Sequence, residues 1–243
     1  MKKDLSKESI KEHVAEIARE THRRGLCTVF GGGVSQRVGD KIYVTSTYYP
    51  LGEDSLTCFA DAKPEDIIIV DMNGKKLEGK KNPSWETPVH IAIYKEQPEI
   101  FGIVHTHSPY ATAFASTGLD LVCITDSPRS HLGKVPNVKL EPCGSDWLAA
   151  NIAEGLRNCD CILLQNHGVW AKGITPRLAL SHAELTEIEA KTQVMAALIR
   201  MSVQTEALTA LRKEATFLEE IHREEKRIKD RQFGINYVYP KTE

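Results

Sequence analysis

The sequence predicts one α/β domain. Short runs of apolar and β-branched residues, such as DIIIV, FGIVH and CILL, predict buried strands. Segments with apolar residues at helical spacing separate these runs, and no low-complexity linker or internal repeat divides the 243 residues. The composition, 41% hydrophobic and 26% charged, is typical of a globular chain with one core.

The first half of the chain predicts one helix followed by strands. Ile10, Val14 and Ile17 lie on one helical face, and this helix is expected to end near Gly25. After the glycine-rich FGGGVSQR, the segment KIYVTST has the β-branched and aromatic composition of a strand. PEDIIIVDMNGKKLEG then predicts a buried strand, an Asn-Gly turn and a short hairpin partner.

Helix and strand signals alternate in the second half. Ser84 is expected to be the N-cap of a helix through WETPVHIAIYKEQ, and Pro109 opens the helix that follows the strand IFGIVHTH. DLVCIT and CDCILLQNHG predict buried strands on either side of a helix in SDWLAANIAEGLRN. Thr175 and Pro176 open a long helix to about Met201. The charged segment ALTALRKEATFLEEIHREEKRIKDRQFG is expected to be either a solvated surface helix or an oligomer-contact helix.

The net charge, the N-terminal segment and the cysteine spacing indicate which partners, location and cysteine state to expect. A net charge of −2 and a pI of about 6.5 argue against partners such as nucleic acid or an anionic membrane. The N-terminus is charged and contains no apolar signal segment, so a cytoplasmic location is expected. The six cysteines lack paired C-x-x-C spacing and are expected to be reduced core residues.

Three histidines and one glutamate are the candidates for chemistry. His105 and His107 alternate on a predicted strand, so their side chains leave the same face, either as metal ligands or as polar residues facing solvent. His167 ends another apolar strand and would complete a three-histidine site with an open position, as in catalytic metal centres. Glu86, at the start of a helix, is either a capping carboxylate or a general base. His90, one turn later, is expected to be a core histidine rather than a ligand.

The motifs GGGVSQR, VTST, PSWETPVH, IVHTHSPYATAFAS and QNHGVWAKG, in this order, resemble those of the class II aldolase/adducin family. The resemblance covers roughly residues 8–200. It implies a single three-layer α/β/α domain, residues 1–243, around a mostly antiparallel central sheet, with a C-terminal helix and aromatic tail over 201–243. It also implies a homotetramer whose active sites lie at subunit interfaces.

The resemblance also implies the roles of the four residues. His105, His107 and His167 match the metal-binding histidines of the family, and Glu86 matches the catalytic acid/base of its aldolases. The metal is expected to be divalent, with zinc as the first choice and manganese as the alternative.

The residues that match the family's phosphate contacts are altered, which predicts either a changed substrate or, if the tyrosine and tryptophan only pack within the fold, a phosphate held by other groups. Gly33 stands where the family has asparagine, Tyr48 stands where it has glycine, and Trp85 replaces a serine. A buried phosphate without its donors is costly. Arg37 is a spare cation that is either a carboxylate contact or a surface residue. The substrate-binding candidates are therefore Gly33, Ser35, Arg37, Thr47, Tyr48, Ser84 and Trp85.

Further catalytic groups of the family come from a loop and from the C-terminal tail of a neighbouring subunit. In this chain Asp126, Arg129 and His131 occupy the loop, and Tyr237 and Tyr239 occupy the tail.

The expected function is that of a metal-dependent aldolase-type lyase that cleaves a C–C bond of a hydroxy-carbonyl or ketone substrate other than a typical sugar phosphate. The alternatives are a hydrolase that opens a β-diketone or cyclic ketone with metal-bound hydroxide, a decarboxylase or dehydratase of the same family, and a metal-free scaffold. The expected partners are a small carbonyl compound and further copies of this chain.

Overall fold

The computed structural model describes residues 6–46 and 58–203, together with residues 221 and 223. The α-helices, numbered in chain order, are α1 Lys7–Arg23, α2 Thr87–Glu96, α3 Pro109–Ala115, α4 Asp126–His131, α5 Asp146–Gly155 and α6 Pro176–Val203. The strands are β1 Gly33–Val38, β2 Lys41–Thr45, β3 Ile67–Asp71, β4 Lys76–Glu78, β5 Gly102–Thr106, β6 Leu121–Val122, β7 Lys134–Val135, β8 Asn137–Val138, β9 Cys161–Leu164 and β10 Gly168–Gly173.

An eight-stranded sheet lies at the centre of the described residues. Its strands follow the order β4-β3-β2-β1-β5-β10-β9-β8. Neighbouring strands are antiparallel except β8 and β9, which are parallel. β6 and β7 pair in a separate two-stranded sheet. The predicted α/β fold around a mostly antiparallel central sheet is therefore confirmed.

Two apolar clusters cover the two faces of this sheet. Along β3, Ile67 and Ile69 belong to the first cluster, whereas Ile68 and Val70 belong to the second, as the alternation of side chains along a strand requires. Residues of α1, α3 and α6 complete the first cluster, and residues of α2 and α5 complete the second. The result is a three-layer arrangement with the sheet buried on both faces.

The ends of the first and last described helices agree with their sequence signals. Ser6 caps α1 by accepting a hydrogen bond from the Ser9 amide, and the helix ends two residues before Gly25, which has a φ of +71°. The α6 helix begins at Pro176, as predicted. None of the described helices is long and apolar enough to span a membrane.

The start of α2 differs from its prediction. The N-cap is Glu86, not Ser84. The Ser84 hydroxyl accepts a hydrogen bond from the Glu86 amide, and the Ser84 carbonyl accepts one from the Thr87 amide, so these residues form a turn before the helix. Glu86 is thereby held at the helix boundary rather than inside the first turn.

Several elements escaped prediction or are shorter than predicted. β1, β10 and α4 have no counterpart among the predicted elements. Only Leu121–Val122 of DLVCIT forms a strand, and Val122 is 43% exposed, so this segment is not the predicted buried strand. All six cysteines are free, but Cys143 is exposed and is not a core residue. The predicted C-terminal charged helix lies outside the described residues, apart from residues 221 and 223, which are helical.

Candidate metal centre

Three histidine side chains converge at one end of the central sheet. The Nε2 atom of His105 lies 3.1 Å from that of His107 and 3.1 Å from that of His167. The Nε2 atoms of His107 and His167 are 3.3 Å apart. The predicted ligands are therefore brought together, and they form a group that could hold a metal ion.

Strand pairing places these ligands. His105 is the penultimate residue of β5, and His107 follows the strand end, so both side chains leave the same face. His167 lies in the turn between β9 and β10. Because β10 pairs with β5 in antiparallel register, with Trp170 opposite His105, the turn lies beside the end of β5.

The backbone around the ligands needs residues that accept unusual geometry. Asn166 has a φ of +57°, in the left-handed region that asparagine tolerates better than most residues, and it directs the turn that carries His167. A Cβ on Gly168 would lie 2.1 Å from the carbonyl oxygen of Thr106. A Cβ on Gly31 would lie 2.6 Å from His107 Nδ1. Glycine is therefore favoured at the two positions where the backbone passes closest to His107 and to the Thr106 carbonyl.

His105 is held in one tautomer. Its Nδ1 lies 2.8 Å from the carbonyl oxygen of Val169, and a carbonyl can only accept, so Nδ1 carries the proton. The ring is completely buried, and burial lowers the pKa of His105 to about 3 although the Glu86 carboxylate opposes this shift. Burial also lowers the pKa of His107. A neutral His105 with its proton on Nδ1 presents the Nε2 lone pair to the other two histidines.

Glu86 faces the three imidazoles. Its Oε1 atom lies 3.6 Å from His105 Nε2 and 3.5 Å from His167 Nε2. Burial disfavours the charged form, but His105 and His167 outweigh it and lower the pKa of Glu86 to about 2. Glu86 is 7% exposed, and its Oε1 has no hydrogen-bond partner in the described part of the chain.

These groups fit a divalent cation. Nitrogen ligands about 2.0–2.1 Å from a tetrahedral zinc ion lie about 3.3 Å from one another, close to the separations seen among the three Nε2 atoms. A buried carboxylate oxygen beside them adds the negative charge that a cation would balance. Three imidazoles and one carboxylate suit zinc and also manganese.

One of the predicted substrate residues lies beside the cluster, and two others adjoin Glu86 in the chain. Gly33 of β1 is directly opposite His105, and a Cβ there would lie 3.1 Å from His90 Nε2. Ser84 and Trp85 immediately precede Glu86, and the Trp85 side chain is 54% exposed.

Ser35 and Arg37 make their contacts away from the cluster, and their predicted role in substrate binding stays a prediction. Ser35 is fully buried, and its hydroxyl contacts His90 Nδ1 at 2.8 Å and the Tyr94 hydroxyl at 2.9 Å. Arg37 is four residues beyond Gly33 on β1, a distance of roughly 13 Å along an extended strand. Its guanidinium donates to the Pro98 carbonyl and lies 4.9 Å from the centre of the Phe101 ring.

The predicted interface residues remain untested. On α4, Arg129 pairs with Asp126 at 2.9 Å, and His131 Nδ1 contacts the Ser127 carbonyl oxygen at 2.8 Å. Their predicted role in a neighbouring subunit stays a prediction. The other candidates, Thr47, Tyr48, Tyr237 and Tyr239, lie outside the described residues.

Two aromatic side chains support the cluster from the core. His90 is completely buried, as expected for a core histidine, and its ring meets the edge of Trp170. The indole of Trp170 stacks on the His105 ring. Trp170 escaped the sequence analysis because only the register of β10 against β5 places it there.

Comparison with known proteins gives matches over most of the chain. Residues 12–194 match the sequence model of the family described as Class II Aldolase and Adducin N-terminal domain. A protein of Methanococcus maripaludis named L-fuculose phosphate aldolase is 36% identical over 180 residues, which are 74% of this chain and 88% of the relative. A protein of Bacillus thuringiensis serovar kurstaki named 5-deoxy-D-ribulose 1-phosphate aldolase is 36% identical over 189 residues, which are 76% of this chain and 83% of the relative.

A solved structure supports the fold independently. The L-fuculose-1-phosphate aldolase of Thermus thermophilus superposes with a TM-score of 0.68 at 24% identity. The superposition covers 79% of this chain and 95% of that chain.

Replacing Asn166 tests the turn that carries His167. Asn166→Val is expected to lower the free energy of unfolding by about 1–3 kcal/mol, because a β-branched residue is strained at positive φ. Asn166→Gly, which accepts this φ freely, is the matched control and is expected to retain wild-type stability within about 1 kcal/mol. Urea unfolding of the metal-free proteins measures both. Equal stability of the valine and glycine variants would show that the turn does not depend on this conformation.

Replacing His107 tests the metal centre itself. Wild-type protein, purified from cells supplied with zinc and manganese, is expected to contain about one divalent ion per chain, whereas His107→Ala is expected to lose most of it. His13→Ala is the control, because His13 contacts Gln36 on another part of the surface. Elemental analysis after gel filtration gives the stoichiometry. A wild type without bound metal, or an equal metal content in His107→Ala, contradicts the assignment.

Proposed function

The chain belongs to the class II aldolase and adducin family, and from this premise we propose that it is a divalent-metal-dependent aldolase that cleaves a C–C bond in a β-hydroxy carbonyl compound. The resemblance predicted from the motifs is thus confirmed for the family. The aldolase names of the two relatives support the type of reaction. Zinc is the first choice of metal, with manganese as the alternative.

One observation carries the proposal: three imidazole nitrogens and one ionised carboxylate face a common point. The three Nε2 contacts of 3.1–3.3 Å cannot all be hydrogen bonds, because each Nε2 carries either one proton or one lone pair, whereas a cation at their centre would be bound by all three nitrogens. Glu86 Oε1, 3.5 Å from His167 Nε2, is close enough to act on a substrate held at the same point. Binding and proton transfer can therefore occur at one site.

The residues divide the chemistry between them. A divalent cation held by His105, His107 and His167 would polarise the substrate carbonyl, which makes the neighbouring carbon more acidic. In the direction of bond formation, the Glu86 carboxylate removes a proton from that carbon. In the direction of cleavage, the β-hydroxyl passes its proton to the Glu86 carboxylate, the electron pair of the broken C–C bond passes to the same carbon, and Glu86 then delivers that proton to the carbon.

We also propose that the distal end of the substrate differs from the phosphate of the named relatives. Gly33 has no side chain to donate a hydrogen bond, and the space beyond its Cα is bounded by His90. The Ser84 hydroxyl accepts a hydrogen bond from the Glu86 amide, so it has a single proton left to donate to a substrate. Trp85 precedes Glu86 in the chain, and its exposed side chain offers a flat apolar surface. These features favour a neutral or planar group over a hydrated dianion.

Replacing Glu86 tests its role in proton transfer. Glu86→Gln is expected to keep the metal, because its three histidine ligands remain, and to lower kcat for cleavage by about 10²–10⁴-fold. Proton exchange at the α-carbon of the donor product in D₂O, followed by NMR, reports the same step directly. Glu78→Gln is the control, because Glu78 pairs with Lys7 and Lys11 at the surface.

Two outcomes would contradict this mechanism. Unchanged turnover in Glu86→Gln would remove the carboxylate from the reaction. Incorporation of ¹⁸O from water into a carboxylic acid product would show that the enzyme cleaves its substrate by hydrolysis and not by aldol cleavage.

A paired substrate screen tests the distal end. Phosphorylated and unphosphorylated members of the same β-hydroxy ketone series are expected to differ by less than about tenfold in kcat/KM, because dedicated charged hydrogen bonds, worth about 1.5–3 kcal/mol each, are absent from the described part of the site. Trp85→Ser is the matched variant and should move the ratio toward the phosphorylated compounds. A wild-type preference above a hundredfold for the phosphorylated member would contradict the proposal.

A further inference from the structure

The indole of Trp170 lies flat against the imidazole of His105. The ring centres are 4.4 Å apart and the planes are within 11° of parallel. The two residues are direct cross-strand partners on β10 and β5, so the contact is set by the register of the sheet. Both side chains are completely buried. The inner face of this imidazole is therefore covered by a rigid ring rather than by a flexible aliphatic chain.

The indole also contacts a second buried ring. The His90 ring meets Trp170 with a centre separation of 5.1 Å and an interplanar angle of 65°. His90 is fixed by the Ser35 hydroxyl at 2.8 Å from its Nδ1, and the same hydroxyl lies 2.9 Å from the Tyr94 hydroxyl. The His105 imidazole thus rests on an aromatic support that is tied to α2.

Hydrogen bonding does not account for a tryptophan at this position. The indole Nε1 is buried and has no hydrogen-bond partner among the described residues, although a buried indole usually finds one. An unpaired buried donor costs free energy, and an aliphatic residue would avoid that cost. What tryptophan supplies at this place is a flat surface as large as the imidazole it covers.

The contacts of His105 with Val169 and Trp170 act on different degrees of freedom. The hydrogen bond to the Val169 carbonyl sets the tautomer and the direction of Nε2. The stacked indole restricts the tilt of the imidazole plane about that bond. His107 and His167 are partly exposed, so His105 is the most constrained of the three.

We propose that Trp170 is a positioning residue for the metal centre: by stacking on His105 it holds the imidazole in the orientation that ligates a divalent cation. This role rests on the proposed metal-dependent function. The flat ring is the functional part of the side chain, so phenylalanine preserves the role in part and leucine does not. Because the indole lies against a ligand, its fluorescence also responds when a cation binds.

Metal affinity measured against fold stability tests the role. Zinc affinity is determined by competition with a chromophoric chelator, and stability of the metal-free proteins by thermal unfolding. Trp170→Leu is expected to raise the zinc Kd by about 10–100-fold, the range found when groups that orient ligands are lost, and Trp170→Phe by much less. Ile162→Ala is the control: Ile162 is equally buried opposite Trp170 on β9, and its loss should lower the unfolding temperature without changing the zinc Kd.

A single-tryptophan protein gives a second readout that a purely structural role would not produce. The chain has three tryptophans, and the other two, Trp85 and Trp147, are 54% and 72% exposed. In the Trp85→Phe/Trp147→Phe protein, zinc is expected to change the emission of Trp170 and to saturate at one ion per chain. Adding His107→Ala should abolish this response.

The outcomes separate the two proposals. If the wild type binds no divalent cation, both the metal centre and the role of Trp170 are overturned. If the wild type binds zinc and Trp170→Leu binds it with the same Kd, only the role of Trp170 is overturned. The role of Trp170 is also overturned if Trp170→Leu and Ile162→Ala weaken zinc binding in proportion to their loss of stability. An emission of Trp170 that zinc leaves unchanged overturns it as well.

Discussion

The hydrogen bond from His105 Nδ1 to the carbonyl oxygen of Val169 is the constraint on which the site depends. It fixes the proton on one nitrogen and leaves the lone pair of the other free to ligate. The acceptor belongs to β10, the strand that follows the turn carrying His167, so one contact relates two of the three ligands. A shift of one residue between β5 and β10 would turn His105 toward the opposite face of the sheet. The register that builds the core therefore also builds the site.

Three glycines allow the backbone segments around the site to approach one another closely. Gly31 passes His107, Gly33 faces His90 and His105, and Gly168 lies against the Thr106 carbonyl. At each position a Cβ would come within 3.1 Å of a neighbouring atom. The glycine-rich segment before β1 is thus part of the wall of the site, and its composition follows from packing as much as from flexibility.

The sequence predicted the parts of the site that depend on local periodicity. His105 and His107 alternate at a strand end, and Glu86 precedes a helix, so their placement follows from positions within single elements. The placement of the other residues around the site depends on contacts between elements that are distant in the sequence. Ser35 is buried because α2 covers its face of the sheet and contacts its hydroxyl through His90 and Tyr94, a packing that no local pattern reveals. The stacking of Trp170 on His105 is a cross-strand contact between residues 65 positions apart in the chain, beyond the reach of any local pattern.

The electrostatics of the site link function to stability. Glu86 is 7% exposed, and its Oε1 lies beside the imidazoles without a hydrogen-bond partner among the described residues. A buried carboxylate oxygen left unpaired destabilises a fold. In the metal-free protein, burial of the two apolar clusters must offset this destabilisation. A cation that binds only the folded chain would stabilise it by about 2.7 kcal/mol at a hundred times its Kd. The buried position of Glu86 beside the three histidines therefore serves both its proposed role in proton transfer and the stabilisation of the fold by a bound cation.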